Sequence, residues 1–491
     1  EIQCINITDT HRVTELSSGQ NNVSLIFDSS SNAALIFLNR ITVNYQRQLT
    51  ADGDELIFTD LDGGARQFRV NGFSETNPAN VLVWNVTVPT TTLEIPMTGH
   101  ISGDTYNIGS SHAAGAEFIA TTINNVHTPT ISQYVPTSLE PAGGGTDWLA
   151  ITHADFAAQA QTLASHRASF SNLQTMVVDI EDIVNQYGYG LPLPSAIRDY
   201  LNHSLSWTPQ PHYVVIFGGA TLNPRNLDCQ SEYCPGGLGI WDKDQKTFVV
   251  TDLVYEDRFQ GLIPSDHSLV MLDNGNDPLL PDMAIGRIPA NTAAEAGAAV
   301  AKIIQFETNQ LTAAPWQKNI LFVADNADGG GNFCQENQNT IDNHIPGNYQ
   351  VLEHCLPDDS TASTEALRNA MLDAVNADCL DGNFAFPGLG ALSTTLLTLK
   401  SGAVPVGTAA HWSSTGLGYT DEHSILQQGF YDGLFKQDKL TIGDAIDYAK
   451  INYHNTPNTH DSEMYSFLLQ GDPAMSMFTM RNELYLPAIT K

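Results

Sequence analysis

The sequence predicts an α/β protein in which an N-terminal β-sandwich precedes a parallel-sheet unit made of two α/β subdomains. Up to about Pro96 short apolar runs alternate with polar residues and break at turns, the period-two signature of half-buried antiparallel strands. After the joint Pro141-Ala-Gly-Gly-Gly145, apolar runs alternate with amphipathic helical stretches, an order that specifies a parallel sheet covered by helices on both faces. With 42% hydrophobic and 15% charged residues, the 491-residue chain has enough apolar surface to give each of about three domains a core. The expected organisation is a sandwich at 1–140, α/β subdomains at 141–315 and 316–478, and a tail at 479–491.

The sandwich strands are read from SLIFD, AALIFLNRITVNY, ELIFTDLDGG, QFRVNGF and NVLVWNVTV, with further pieces at AEFIATTI and ISQYV. Beyond the joint come strand WLAIT (148–152), helix 156–169, strand TMVVDI (175–180), helix 194–207 and strand YVVIF (213–217). An irregular segment leads to strand MAIGRIP (283–289) and helix 293–309, whose Ala/Ile stripe reads as core packing. The second subdomain opens with ILFVAD (320–325) and runs through YQVLEHC, helices 363–376 and 391–400, strand AVPVGTAA, helices 423–435 and 441–454, and SFLLQGDPAMSMF.

Lys and Arg number 21 against 54 Asp and Glu, a net charge of −33. A surface of that sign repels phosphate backbones and anionic lipid, so nucleic-acid and membrane-surface partners are not expected, whereas calcium and basic substrates suit it. No apolar run approaches the length of a membrane span, and the start at Glu1 without a basic-then-apolar leader reads as a processed, soluble form. Cys229 and Cys234 flank a short polar loop, and Cys334 and Cys355 bracket a helix-to-strand unit. Both pairs read as disulfides, with buried thiols or zinc as the alternatives, and leave Cys4 and Cys379 unpaired. Secretion follows from the disulfides. Asp273-Asn274-Gly275-Asn276-Asp277 sets oxygen ligands at alternate positions around a glycine turn, as a structural calcium loop requires. A plain Asp/Asn/Gly surface turn fits it equally well. A nucleotide-binding reading fails, because GGATLNP after YVVIF has neither phosphate-loop spacing.

A resemblance is carried by DWLAITHADF, VVDIEDIVNQYGYG, SAIRDYLNH, YVVIFGGA, LPDMAIGRIPA, CLDGNFAFPG, SGAVPVGTAAHWSSTGLGY, TIGDAIDYAK and LLQGDPAM, in that order over roughly 145–478. Together they resemble the gingipain-type cysteine peptidases, peptidase family C25, with a caspase-like fold. The resemblance implies a secreted bacterial endopeptidase acting on protein or peptide substrates, with no catalytic cofactor, and Cys379 as nucleophile. Gly382 in the Cys379-Leu380-Asp381-Gly382 turn lets backbone N–H groups point at a developing oxyanion. The tail resembles those of secreted bacterial proteins.

The general base of the family sits in a His-Gly dipeptide, and none occurs in these 491 residues. Helix 363–376 also runs almost directly into Cys379, with only Ala377 and Asp378 between and no apolar run for the strand that should present the thiol. Three explanations stand: a chain interrupted at Asp378–Cys379, a catalytically inactive homologue that is a structural or adhesive surface component associating through its β domain, or a substitute histidine. His411, expected in a polar loop after AVPVGTAA with Trp412 beside it, is the substitute the spacing offers.

Overall fold

The computed structural model describes residues 48–477, apart from 225–245, 258–260, 273–276, 311–318, 328–330, 367–396, 416–419 and isolated shorter positions. The chain divides into two compact units, 1–134 and 135–491.

In the first unit, β1 (Glu55–Asp60), β3 (Val81–Asn85), β4 (Leu93–Glu94) and β7 (Ala116–Thr122) form one antiparallel sheet in the order β1-β7-β3-β4. The strands β2 (Gly64–Val70), β5 (Met97–Ser102) and β6 (Thr105–His112) form another, ordered β2-β6-β5. Alternation does the folding: Leu56 and Phe58 of β1 are buried while Ile57 and Thr59 face out. These side chains join Val70, Val83, Tyr106, Ile108 and Phe118 from both sheets in one core, the arrangement expected of a sandwich. The segment ISQYV forms no strand among its described residues, and Ile131 is 89% exposed.

The second unit is a mixed α/β body. Its main sheet runs β18-β19-β13-β10-β8-β9, from β8 (Trp148–Thr152), β9 (Thr175–Asp179), β10 (Tyr213–Phe217), β13 (Ala284–Ile288), β18 (His411–Ser414) and β19 (Phe467–Gln470). All pairs are parallel except β18 on β19. Consecutive residues of β8 and β10 are all buried because each faces a helical layer. Trp148, Ala150, Val215 and Phe217 meet α1 (Ala157–Phe170) and α4 (Ala293–Gln310) on one side. Leu149, Ile151, Val214 and Ile216 meet α2 (Ile180–Tyr187) and α3 (Pro194–Ser204) on the other. The segment between β10 and β13 contains a hairpin, β11 (Asp252–Asp257) with β12 (Gly261–Ser265), where an irregular stretch was expected.

A parallel pair, β14 (Asn319–Ala324) and β15 (Gln350–Cys355), is bridged by α5 (Phe333–His344). Then follow the short strands β16 (Lys400–Ser401) and β17 (Val404–Pro405), and the helices α6 (Thr420–Lys436), α7 (Ile442–His454) and α8 (Ser462–Ser466). The expected strand over AVPVGTAA is thus confined, among described residues, to its Val404–Pro405 part, and the next strand begins only at His411.

Candidate functional site

A chain that runs from β8 outward to β9 and then back across to β10 leaves a switch point between β8 and β10, where α/β sheets commonly hold ligands. Here that crevice is plugged. Gly218 after β10 has φ +137°, and a Cβ there would lie 2.7 Å from Cβ of Phe248. The Phe248 ring packs tilted against Phe156 and edge-on to His153, with centroids 4.9 and 5.1 Å away. Arg287 of β13 braces the same edge from inside, pairing with both oxygens of Asp266 at 2.7 Å and donating to the carbonyls of Gly218, Val249 and Val250.

Open space lies instead beside the carboxyl end of β14. A cleft of ≈ 580 Å³ is bounded by Val323 and Ala324, by Phe333, Glu336 and Asn337 of α5, by Trp412 to Ser414 of β18, and by the first turns of α6. Its size suits a ligand or a few peptide residues. On its wall His423 places Nε2 3.1 Å from Oε2 of Glu463, a carboxylate that is 2% exposed. The His423 ring stands edge-on to Phe467 at 4.9 Å. An imidazole fixed by a buried carboxylate at the rim of a cleft is the arrangement that general-base chemistry uses. Behind it, Glu422 is buried and bonded to Tyr453 and His460. That contact and the charge of Glu422 hold His460 above its ordinary value.

His411 opens β18, paired with Gln470, which is level with Arg287 at the carboxyl edge of the main sheet. The expected loop is therefore a strand: β19 offers His411 to Ser414 an antiparallel edge, and backbone pairing outweighs the weak strand signal of His-Trp-Ser-Ser. Nδ1 of His411 is buried without a hydrogen-bond partner among the described residues, and burial pushes its imidazole below the ordinary value, which favours the neutral form. Trp412 lines the cleft, packed 5.5 Å from Phe430 and 5.2 Å from Phe467.

Cys379, Gly382 and the Asp378–Cys379 junction lie outside the described residues, as do Cys229, Cys234, Asp273 and Asn274. The sulfurs of Cys334 and Cys355 lie at disulfide-bonding distance, with Cα atoms 5.9 Å apart. Asp277 is engaged on both oxygens: Oδ1 accepts from the Leu279 N–H at 3.0 Å and Oδ2 meets Nε2 of His454 at 3.0 Å. A calcium ion in that loop would have to take Oδ2 from His454, so the described part of the loop does not by itself form a cage. The residues that sequence reasoning missed are His423 and Glu463. Forty residues separate them, and Thr-Asp-Glu-His-Ser reads simply as a polar helix start. Among the described residues no helix is long and apolar enough to cross a membrane.

The structure is similar to several solved ones. Dimeric latent PorU from Porphyromonas gingivalis is 17% identical with a TM-score of 0.49, over 88% of this chain and 40% of that one. The chain thus spans less than half of PorU. The Arg-specific cysteine proteinase gingipain R (RgpB) is 15% identical with a TM-score of 0.49, over 70% of this chain and 80% of that one. The complex of RgpB pro- and mature domains from P. gingivalis gives 14%, 0.48, 67% and 79% in the same order. No curated protein matches. In sequence, the family model of peptidase family C25 matches residues 142–380 and 347–478. Those two stretches cover well over half of the 491 residues, and the chain belongs to peptidase family C25.

Proposed function

We propose that the protein is a secreted bacterial cysteine endopeptidase that cleaves protein substrates with Cys379 as nucleophile. One observation carries the reading: both stretches matched to the family run through Cys379. The Cys379 thiolate attacks the scissile carbonyl, and backbone N–H groups at the Gly382 turn receive the oxyanion. A histidine takes the thiol proton. His411 is the candidate the sequence offers, and His423, on the cleft wall against Glu463, is the second.

The reading is tested with casein and with an active-site alkylating probe. Cys379→Ala is expected to lower kcat/KM by about a thousandfold or more, and His411→Ala or His423→Ala by about a hundredfold for whichever histidine is the base. A wild-type chain that neither cleaves protein nor takes the probe at Cys379 would reject it.

The lack of any His-Gly dipeptide favours a second reading, an inactive C25 homologue serving as a structural or adhesive surface component through its β unit. That reading expects an unreactive Cys379 and concentration-dependent self-association. A structural calcium ion held by Asp273, Asn274 and Asp277 fits either reading. It is expected to displace His454 from Asp277, seen as a calcium-dependent shift of the His454 imidazole resonances.

A further inference from the structure

Three groups meet at the end of β15. The sulfurs of Cys334 and Cys355 and a carboxylate oxygen of Glu353 all lie within 4.8 Å of one another. Strand alternation brings Glu353 and Cys355 to the same face, two residues apart on β15. The two sulfurs are not equivalent. Cys355 is exposed, whereas Cys334 is half-buried as the second residue of α5, just after its N-cap Asn332. Oε1 of Glu353 is buried and has no hydrogen-bond partner among the described residues. An orphaned buried carboxylate oxygen is costly, and the carboxylate that carries it stands beside a bond whose exchange with a thiol moves a proton from the incoming sulfur to the leaving one.

We propose that Cys334–Cys355 is an exchangeable disulfide, opened by a small-molecule thiol that attacks Cys355 while Glu353 passes the proton to Cys334. Attack falls on Cys355 because an external sulfur reaches the exposed partner more readily than the half-buried one. Cys334 leaves because the unsatisfied N–H groups and the dipole at the start of a 12-residue helix stabilise a thiolate there. In the first step the incoming R–SH gives its proton to the Glu353 carboxylate and its sulfur bonds to Sγ of Cys355. The S–S bond breaks with its electron pair on Sγ of Cys334, which takes the proton back from Glu353. A second R–SH attacks the mixed disulfide, yielding R–S–S–R and the Cys355 thiol. The small thiols are oxidised and the protein disulfide is reduced.

The bond ties α5 to β15, and Phe333, Glu336 and Asn337 of α5 form one wall of the cleft. Opening it frees that wall at its N-terminal turn. The inference does not depend on peptide hydrolysis, so it stands or falls apart from the activity of Cys379.

The test treats the full chain with millimolar reduced glutathione at neutral pH, caps free thiols with N-ethylmaleimide and maps the peptides by mass spectrometry. The first species trapped is expected to carry glutathione on Cys355 and maleimide on Cys334, and later samples maleimide on both, with far-ultraviolet circular dichroism unchanged and faster amide exchange over 333–337. Glu353→Gln should slow the opening by about a hundredfold. The adduct position is read on the unaltered chain, so the outcome does not depend on how the variant folds. A disulfide that resists until the chain is unfolded, an adduct on Cys334, or an opening rate indifferent to a folded Glu353→Gln would each overturn the proposal.

Discussion

Arg167 is fully buried, with Nε 2.6 Å from Asp472 and Nη1 2.8 Å from Glu307. Around this trio Trp148 donates to Asp472, His166 meets Glu307 at 2.6 Å, and the N–H groups of Ala474 and Ser476 bond to the same two carboxylates. The cluster pins α1, α4 and the turn after β19 to one another. Removing the cation would strand two buried anions, so Arg167→Met is expected to cost about 3–5 kcal/mol in urea unfolding. Burial alone would raise the Glu307 carboxyl, but the His166 hydrogen bond and the Arg167 charge prevail and hold it below its ordinary 4.5. A depressed folded value means that its contribution is complete above the unfolded value and is lost as pH falls through the folded one. The wild-type urea midpoint should therefore fall between about pH 5 and pH 2, and a Glu307→Gln chain should show a shallower fall over that window. Equal slopes in the two proteins would exclude Glu307 as a source of the acid sensitivity. No spacing rule announces this cluster, since Arg167 lies 140 and 305 residues from its partners.

At the scale of elements, α6 and α7 approach through small residues. A Cβ on Gly429 would lie 2.9 Å from Cα of Ala449, and one on Gly433 3.2 Å from Cα of Ala445. Gly to Ala in a helix ordinarily gains about 1 kcal/mol of helix propensity. Gly429→Ala is nonetheless expected to destabilise by about 1–3 kcal/mol, because the added methyl meets backbone that can yield only if the helices move apart. Gly433→Ala, with slightly more room, should come out closer to neutral, and thermal unfolding of both variants would show the order. If both raised the melting temperature, the close approach would not be limiting.

Elements of this kind were legible to unequal degrees. Strands β8 and β10 follow residue for residue from WLAIT and YVVIF, since a short run of four or five apolar residues suits a strand buried on both faces. Helix α2 has only eight residues, and what starts it is Asp179 accepting from the Glu181 N–H, a local cap within a run that also reads as strand. Strand β18 could not be read, because His-Trp-Ser-Ser has no periodicity and owes its form to β19, more than fifty residues later in the chain. The cleft was hidden for the same reason: its walls come from α5, β14, β18 and α6, which only tertiary packing brings together.

For the whole molecule the relevant fact is that the two units keep separate cores. Leu56, Phe58, Tyr106, Ile108 and Phe118 form the core of the first, while the two faces of the main sheet supply the second. Cooperative unfolding extends only as far as shared packing, so a chain with two independent cores should unfold in two steps rather than one. Tryptophan offers a way to see them apart. Trp84, on β3, is the one tryptophan between residues 1 and 134, whereas Trp148, Trp207, Trp241, Trp316 and Trp412 belong to the second unit. Urea unfolding followed by fluorescence should therefore resolve two transitions in the wild-type chain, and Trp84→Phe should remove the amplitude of one while leaving the midpoint of the other in place. Circular dichroism, which sees both units, should retain both steps in the variant. A single transition with coincident midpoints by both probes would mean that the units unfold as one body, whatever their separate cores.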